Sequence, residues 1–356
     1  MRILHTADWH LDAVMAGLGE ENTQTLRREL RKLPEKICKL CKTHNCDLLL
    51  IAGDLFDGAY TPETMTALRS ALSGLDIPVV ITPGNHDFIT GDSPYEKEEW
   101  PRNVHIFKNA KITALPLPEL DCILYGAGYE SMDCPGLLKG FHVDGDARWH
   151  IGVLHAEANT ATSNYCPITR HQLQESGLHY VALGHIHKAG SLKAGETLCA
   201  WPGCPMGKGF DELGQKGVIL VDLDEEITVS PLLLDTPRFY DEEVEAGEDA
   251  HSALSAILPA VESSDFYRVT LTGYSAGIDL DALRNQFSHI ANLQLRDETI
   301  PEVDLWSNID QDSLEGVYFS LLKEAAQSDS EVLSRRAMLA ARISRKILDG
   351  QEVKLP

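Results

Sequence analysis

The sequence predicts an α/β fold with two packed sheets, followed by a small α/β domain and a helical tail. Three observations predict it. Short apolar, β-rich runs recur through the first 235 residues, and several lead into turns bearing Asp, Asn or His. Helical patterns separate several of these runs, the arrangement that builds open α/β sheets with their chemistry at the strand ends. Near Thr236 the composition turns acidic and the order becomes strand, helix, strand, helix, strand. A chain of 356 residues accommodates such a layout, at roughly 150 residues per domain.

Arg2 to Thr6, Asp47 to Ala52, Pro78 to Thr82, Cys122 to Tyr125, Ile151 to His155 and Tyr180 to Leu183 read as buried strands. Thr23 to Thr43 carries apolar residues at helical spacing with charges between them, and Thr61 to Leu72 opens on a Thr-Pro start signal. From Ser191 to Leu234 the pattern changes to hairpins, with Lys216 to Leu223 and Ile227 to Leu234 around an acidic turn, which predicts the second sheet.

The expected domains are 1–235, 236–312 and 313–356. In the second, Phe239 to Val244, Tyr267 to Thr272 and Leu293 to Arg296 read as strands, with His251 to Val261 and Leu280 to Ile290 as helices. It holds 16 Asp and Glu against four Arg and no Lys. Ser313 to Gln327 and Ser330 to Leu348 form two helical patterns, the second bearing Arg335, Arg336, Arg342, Arg345 and Lys346 among its apolar positions. Such a stripe serves either to dock a partner or to pack on its own domain.

No segment approaches the roughly 20 apolar residues of a membrane span, and Met1 to His10 has no cationic stretch leading into an apolar run. A cytoplasmic protein with no membrane partner is the expectation. The eight Cys show no disulfide framework. Cys38, Cys41 and Cys46 form a C-x2-C-x4-C run that could suggest zinc, but it closes an amphipathic helix and no second pair follows, so packing is the expected role. Thirty-one Lys and Arg against 54 Asp and Glu give a net charge of -23, a poor fit to a protein that holds nucleic acid by counterion release alone.

The chemistry sits in five strand-end segments. Asp8-Trp9-His10 places a carboxylate and an imidazole two residues apart, with Trp9 free to stack on a base or to pack. Gly53-Asp54-Leu55-Phe56-Asp57 puts a carboxylate after a tight turn, where its two oxygens can bridge two cations. Asp57 either orients a neighbouring His or caps the next segment. Gly84-Asn85-His86-Asp87 presents an amide, an imidazole and a carboxylate on one turn. His155 ends a strand, and in Gly184-His185-Ile186-His187 the two imidazoles point the same way from an extended segment. Mixed His and carboxylate sets suit Mn, Fe or Zn better than Mg or Ca. Any one segment has a bland explanation as cap or turn; five together predict a dinuclear metal site.

Together these motifs resemble the calcineurin-like metallophosphoesterase superfamily. Within it, MRILHTADWHL (Met1 to Leu11), AGDLFD (Ala52 to Asp57), GHIHK (Gly184 to Lys188), the Pro202-Gly203-Cys204-Pro205 turn and Gly217-Val218 look like the SbcD-type DNA exonucleases of double-strand-break repair. The resemblance is strong over residues 1–235 and one of layout beyond them. It implies a four-layer αββα sandwich with a small capping domain and a helical tail. It implies one ion held by Asp8, His10, Asp54 and His187, and a second by Asp54, Asn85, His155 and His185, with Mn2+ the usual metal. His86 and Asp57 are then the catalytic pair, His86 meeting the phosphate or protonating the leaving oxygen after in-line attack by a bridging hydroxide.

The implied activity is that of a manganese-dependent 3′–5′ DNA exonuclease with endonuclease activity. Its implied partners are DNA and an SMC-like ATPase of SbcC type that receives the tail, and two-fold homodimers are common in the family. The acidic cap departs from what DNA steering would want. A small-substrate phosphoesterase, such as a cyclic nucleotide phosphodiesterase, is the alternative that the acidic composition favours; a scaffold with a vestigial site is a third.

Overall fold

The computed structural model describes residues 1–350 other than 16, 17, 248, 276, 302–304, 308, 310 and 311. Parts of the expected acidic domain and the last six residues of the expected tail, 351–356, therefore lie outside the described residues. The chain forms two compact units: Met1–Asp241 with Glu262–Arg268 and Ile290–Gln294, and Glu242–Val261 with Val269–His289 and the chain from Leu295 onward.

The first unit opens with β1 (Arg2–Thr6), α1 (Glu20–Thr43), β2 (Leu48–Ala52), α2 (Pro62–Ser73), β3 (Val79–Thr82), α3 (Pro94–Lys97) and β4 (Val104–Ile106). Next come β5 (Thr113–Leu117), β6 (Cys122–Gly126), β7 (Trp149–His155), α4 (Arg170–Glu175) and β8 (Tyr180–Gly184). Two hairpins follow, β9 (Gly190–Ala194) with β10 (Thr197–Trp201), and β11 (Gly217–Leu223) with β12 (Ile227–Leu233).

The strands make two six-stranded sheets, ordered β12-β11-β1-β2-β3-β4 and β5-β6-β7-β8-β10-β9. In the first, β1 to β4 run parallel; in the second, β6, β7, β8 and β10 do. Parallel strands covered on both faces read as unbroken apolar runs, and Leu48-Leu49-Leu50-Ile51 shows why. Leu48 and Leu50 face the second sheet, where they meet Ile151, Val153 and Tyr180. Leu49 and Ile51 face the helices, where they meet Leu26, Leu30, Ile37 and Leu68. The outer face of the second sheet buries Leu154 and Leu183 against Ile168 and Leu173. This is the αββα layering, with its fourth layer reduced to α4 and irregular chain.

The hairpin expectation needs correction. The Gly217–Leu223 and Ile227–Leu233 pair does not build the second sheet; it extends the first, antiparallel to β1. Only β9 and β10 join the second sheet, at its edge. Local alternation specifies a hairpin but not the sheet edge it pairs with, because edge choice is set by which long-range partner is free. Cys38, Cys41 and Cys46 are buried in the core around α1, and every Cys is a free thiol. No described helix is long and apolar enough to cross a membrane.

Three more strands, β13 (Phe239–Glu245), β14 (Ser263–Thr272) and β16 (Ile290–Asp297), form one sheet and are each divided between the units; α5 (Ala250–Ile257), β15 (Tyr274–Ser275) and α6 (Leu280–Gln286) precede β16, and β17 (Ile300–Pro301) pairs with β15. The second unit ends in α7 (Leu314–Ala326) and α8 (Glu331–Leu348). Around these helices Phe319, Ala341 and Leu305 form one buried cluster, and Arg345 is buried there, bonded to Glu315 (2.6 Å) and to the carbonyls of Leu305 and Ser307. One of the five basic residues of α8 is thus a clamp. Val332, Leu333, Leu339, Ile347 and Leu348 stay exposed.

His5 ties the two sheets of the first unit. Wholly buried on β1, it faces the Tyr180 hydroxyl (2.8 Å) with Nδ1 and the Leu183 carbonyl (3.1 Å) with Nε2. The carbonyl fixes the proton on Nε2, so the ring is neutral and Nδ1 accepts from Tyr180. Burial pushes its pKa down to about 3, against a small opposing pull from Leu183. An unfolded chain binds this proton near pH 6.5, so stability is full above that pH and falls as pH drops toward about 3. Between pH 7 and pH 5 the loss amounts to about 2 kcal/mol. Urea unfolding at both pH values is expected to show that loss shrinking by about this amount in His5→Gln; an unchanged pH dependence would refute it.

Candidate metal centre

The sequence brings its candidate ligands together because β1, β2 and β3 of one sheet and β7 and β8 of the other all end at one place. Asp8 and His10 follow β1, Asp54 follows β2, Asn85 and His86 follow β3, His155 closes β7, and His185 and His187 follow β8. Backbone bonds stitch these turns to each other: Asp8 N–H to the Gly53 carbonyl, and His10 N–H to that of Asp54, each at 3.0 Å. Asp8, His10, Asp54, Asn85 and His155 are buried, and His185 and His187 are half-buried.

The close approach depends on two glycines. A Cβ on Gly53, whose φ is +92°, would lie 2.1 Å from Nδ1 of His155, and one on Gly84 would lie 2.1 Å from Oδ1 of Asp54. Four candidate ligands adopt the left-handed region themselves: Asp8 (φ 54°), His10 (45°), Asp54 (48°) and His185 (90°). Each costs about 1–3 kcal/mol and persists only where its surroundings enforce it, so their concentration at one spot marks a functional site.

Hydrogen bonding fixes a proton on Nδ1 of three imidazoles. Nδ1 of His10 faces Oδ1 of Asp57 (3.2 Å), Nδ1 of His187 faces Oε1 of Glu212 (2.5 Å), and Nδ1 of His155 faces the Ala52 carbonyl (3.0 Å). Each Nδ1 is therefore the donor, and in the neutral ring Nε2 carries a bare lone pair. Yet Nε2 of His10 lies 3.1 Å from Nε2 of His187, and Nε2 of His155 lies 3.2 Å from Oδ2 of Asp54 and 3.0 Å from Oδ1 of Asn85. Oδ1 of Asn85 also stands 3.2 Å from Nδ1 of His185. The two Nε2 lone pairs of His10 and His187 repel at that distance unless a positive charge lies between them, and the oxygens around Nε2 of His155 likewise call for positive charge there. A cation fits, and the donor set of imidazole, carboxylate and amide oxygen suits a divalent transition ion. Asp8, His10 and His187 offer ligand atoms within 4.8 Å of one another, as do Asp8, Asp54 and His155.

The charges say the same. Burial lowers the pKa of His155, but Asp54 and Asp8 overcome it and push it up to about 9, so a proton fills that gap in the metal-free protein. Burial, with the charge of His155 beside it, drives His185 down to about 4. Burial opposes ionisation of Asp54, yet His155, His10 and the His86 N–H hold it well below the usual carboxylate range.

The sequence missed Glu212. Its Oε1 holds His187, its Oε2 accepts the Lys208 N–H (2.8 Å), and although burial opposes its charge, these partners bring its pKa down to about 2. It lies in an irregular stretch behind no strand, and acidic residues are too common in this chain for one to stand out. Asp57 places Oδ1 against Nδ1 of both His10 (3.2 Å) and His86 (2.7 Å), so the orienting arrangement is the one observed. Asp87, by contrast, turns away from the site. It accepts from the N–H groups of Gly84, Leu55 and Phe56 and from the Tyr95 hydroxyl. Trp9 packs rather than stacks: it is buried and donates to Oγ1 of Thr6 (2.8 Å).

Comparison with known proteins matches residues 1–189 to the calcineurin-like phosphoesterase family. The chain belongs to that family. This calcineurin-like phosphoesterase is 30% identical over 247 residues to YhaO of Bacillus subtilis, described as an uncharacterized metallophosphoesterase. The match covers 62% of the chain and 57% of that protein's length. Over 283 residues it is 26% identical to the D component of nuclease SbcCD from the same organism, covering 67% of the chain and 71% of the relative. Over 351 residues it is 24% identical to probable exonuclease subunit 1 of Escherichia phage T5, covering 95% and 98%.

A divalent ion bound through His155 would have to displace its proton, so apparent affinity of the phosphoesterase for such an ion, with Mn2+ as the probe, is expected to rise about tenfold per pH unit from pH 7 to about 9 and then level off. Calorimetry in buffers of different ionisation enthalpy reads the proton released. Affinity independent of pH, with no proton release, would contradict this.

Proposed function

We propose that this chain is a manganese-dependent DNA nuclease, hydrolysing phosphodiester bonds with two divalent ions. The observation that carries the two-ion reading is Asp54. Its Oδ2 faces Nε2 of His155 at 3.2 Å and Nε2 of His10 at 3.7 Å, between the two groups of ligand atoms. Asp8, His10, Asp54 and His187 would hold one ion, and Asp54, Asn85, His155 and His185 the other, with Asp54 shared. When bound, such ions neutralise phosphate charge and acidify water.

The remaining roles fall to the chain itself. Asp57 binds Nδ1 of His86, so the Nε2 of that ring is left for substrate, and the side chain is 43% exposed beside the buried ligands. The hydrogen bond that His86 donates to Asp57 raises the pKa of His86 above its ordinary value, against its partial burial. That favours the protonated imidazole near neutral pH, the form able to give a proton from Nε2 to the departing oxygen. Asp57 is thus the positioning partner and His86 the general acid.

DNA as substrate is supported by the alignment with the phage exonuclease protein, which runs nearly the full length of both chains, and by the match to the SbcCD nuclease. On that likeness the protein acts from DNA ends, cuts 3′ to 5′ with endonuclease activity, works in the cytoplasm in DNA repair and recombination, and pairs with an SMC-like ATPase. The exposed apolar positions of α8 offer that ATPase a surface. A homodimer belongs to the same proposal. The domains proposed are a catalytic domain over 1–235, an acidic capping domain over 236–312 and a docking tail over 313–356. The net charge of -23 favours a second reading, a phosphodiesterase for small substrates. Incubation with Mn2+, a labelled duplex and bis-p-nitrophenyl phosphate separates the two: cleavage of both is expected, and cleavage of the small ester alone would end the DNA reading.

His86→Ala is expected to keep both ions while losing roughly 10²- to 10⁴-fold in kcat. Asp54→Ala is expected to lose metal as well as turnover. Metal analysis beside kinetics checks the division, and equal metal loss in both variants would sink it.

A further inference from the structure

A cavity of about 490 Å³ opens beside His86, within the roughly 300–1,000 Å³ range of small-molecule sites. Its lining includes the aromatic residues Tyr60 and Phe88 and the hydroxyl residues Thr90 and Ser93. The charged groups that line it are already engaged. Asp87 accepts from four donors, and Lys97 and Asp92 pair with each other at 2.6 Å.

One polar group is not. Ser93 is 7% exposed, its hydroxyl has no hydrogen-bond partner among the described residues, and although it stands at the start of α3 it caps no N–H there. A buried unpaired hydroxyl costs about 1–3 kcal/mol, and rotation of the Ser93 side chain toward the cavity would let a ligand pair with it.

We infer that this cavity receives the nucleobase of the nucleotide on the leaving side of the scissile bond, a proposal that rests on the phosphodiesterase reading of the adjoining site. The chemistry is that of a base: two aromatic side chains offer stacking, the hydroxyls offer neutral hydrogen bonds to ring nitrogens or exocyclic groups, and no unpaired charge selects an ion. The place is set by His86, which lines the cavity and is the residue to which the proposed mechanism gives the proton donation to the leaving oxygen. A base seated there would hold the leaving nucleoside against that proton donor. It would also give an acidic protein a grip on nucleotides that owes nothing to phosphate charge.

The test uses thymidylyl-thymidine and its two analogues, each lacking one base, with the full chain and Mn2+. For the wild type, kcat/KM is expected to fall roughly tenfold when the base on the leaving side is removed, and little when the other is. In Phe88→Leu, which keeps bulk but loses the ring, and in Ser93→Ala, which removes only the hydroxyl, the parent is expected to react more slowly while the leaving-side abasic analogue is unaffected. Equal wild-type rates on all three compounds, or a leaving-side preference that survives both substitutions, would overturn the proposal. Bis-p-nitrophenyl phosphate is assayed alongside. Its hydrolysis with base-independent dinucleotide rates removes the cavity's role but spares the phosphodiesterase reading, whereas no hydrolysis of any diester removes both.

Discussion

Everything at the candidate centre depends on lone pairs forced to face one another. Asp57 and Glu212 hold the outer nitrogens of His10 and His187, and the inner nitrogens are left 3.1 Å apart with no proton assigned to either. Across the site, His155 is turned by the Ala52 carbonyl onto the carboxylate of Asp54. The pairing of His10 with His187 is unfavourable without positive charge between the two nitrogens, and the one at His155 is held by a proton that an ion can replace. The partners that turn the rings lie outside the cluster, which is how a protein keeps a ligand set preorganised before any ion arrives.

The fold supplies the force that holds this arrangement. Two sheets, each with a parallel centre, bury continuous Leu, Ile and Val runs against each other and against α1, and the turns at their strand ends inherit that rigidity. Four turn residues in the left-handed region, at about 1–3 kcal/mol each, are tolerated because such a core over-determines their positions. Gly53 and Gly84 then let turns from different strands approach more closely than any side chain would allow. Packing sets the distances, and the distances set the chemistry.

Much of this was legible in the sequence. The strands were readable because burial on both faces demands unbroken apolar runs, and the ligand-bearing turns were readable because they follow those runs directly. Arg2–Thr6 begins and ends where the pattern puts it, and the helix read as Thr23 to Thr43 starts three residues earlier, at Glu20. What was not legible came from long-range geometry. Glu212 reaches His187 from an irregular segment 25 residues on. Asp87 shares a turn with Asn85 and His86 yet points into the backbone, since adjacent positions on a turn need not face one side. The β11–β12 hairpin was read as the second sheet because its partner, β1, lies more than 200 residues away.

The excess of acidic residues remains the feature least comfortable with a nucleic-acid substrate, and it shifts weight from the general surface to the metal centre and its rim. Two bound cations would replace, at the one place where phosphate must sit, the positive charge the rest of the chain lacks. The most direct measurement is anomalous diffraction from crystals grown with Mn2+. Two peaks flanking the Asp54 carboxylate, one beside His10 and His187 and one beside His155 and Asn85, are the predicted result. A single peak elsewhere, or none with the side chains unchanged, would contradict the account.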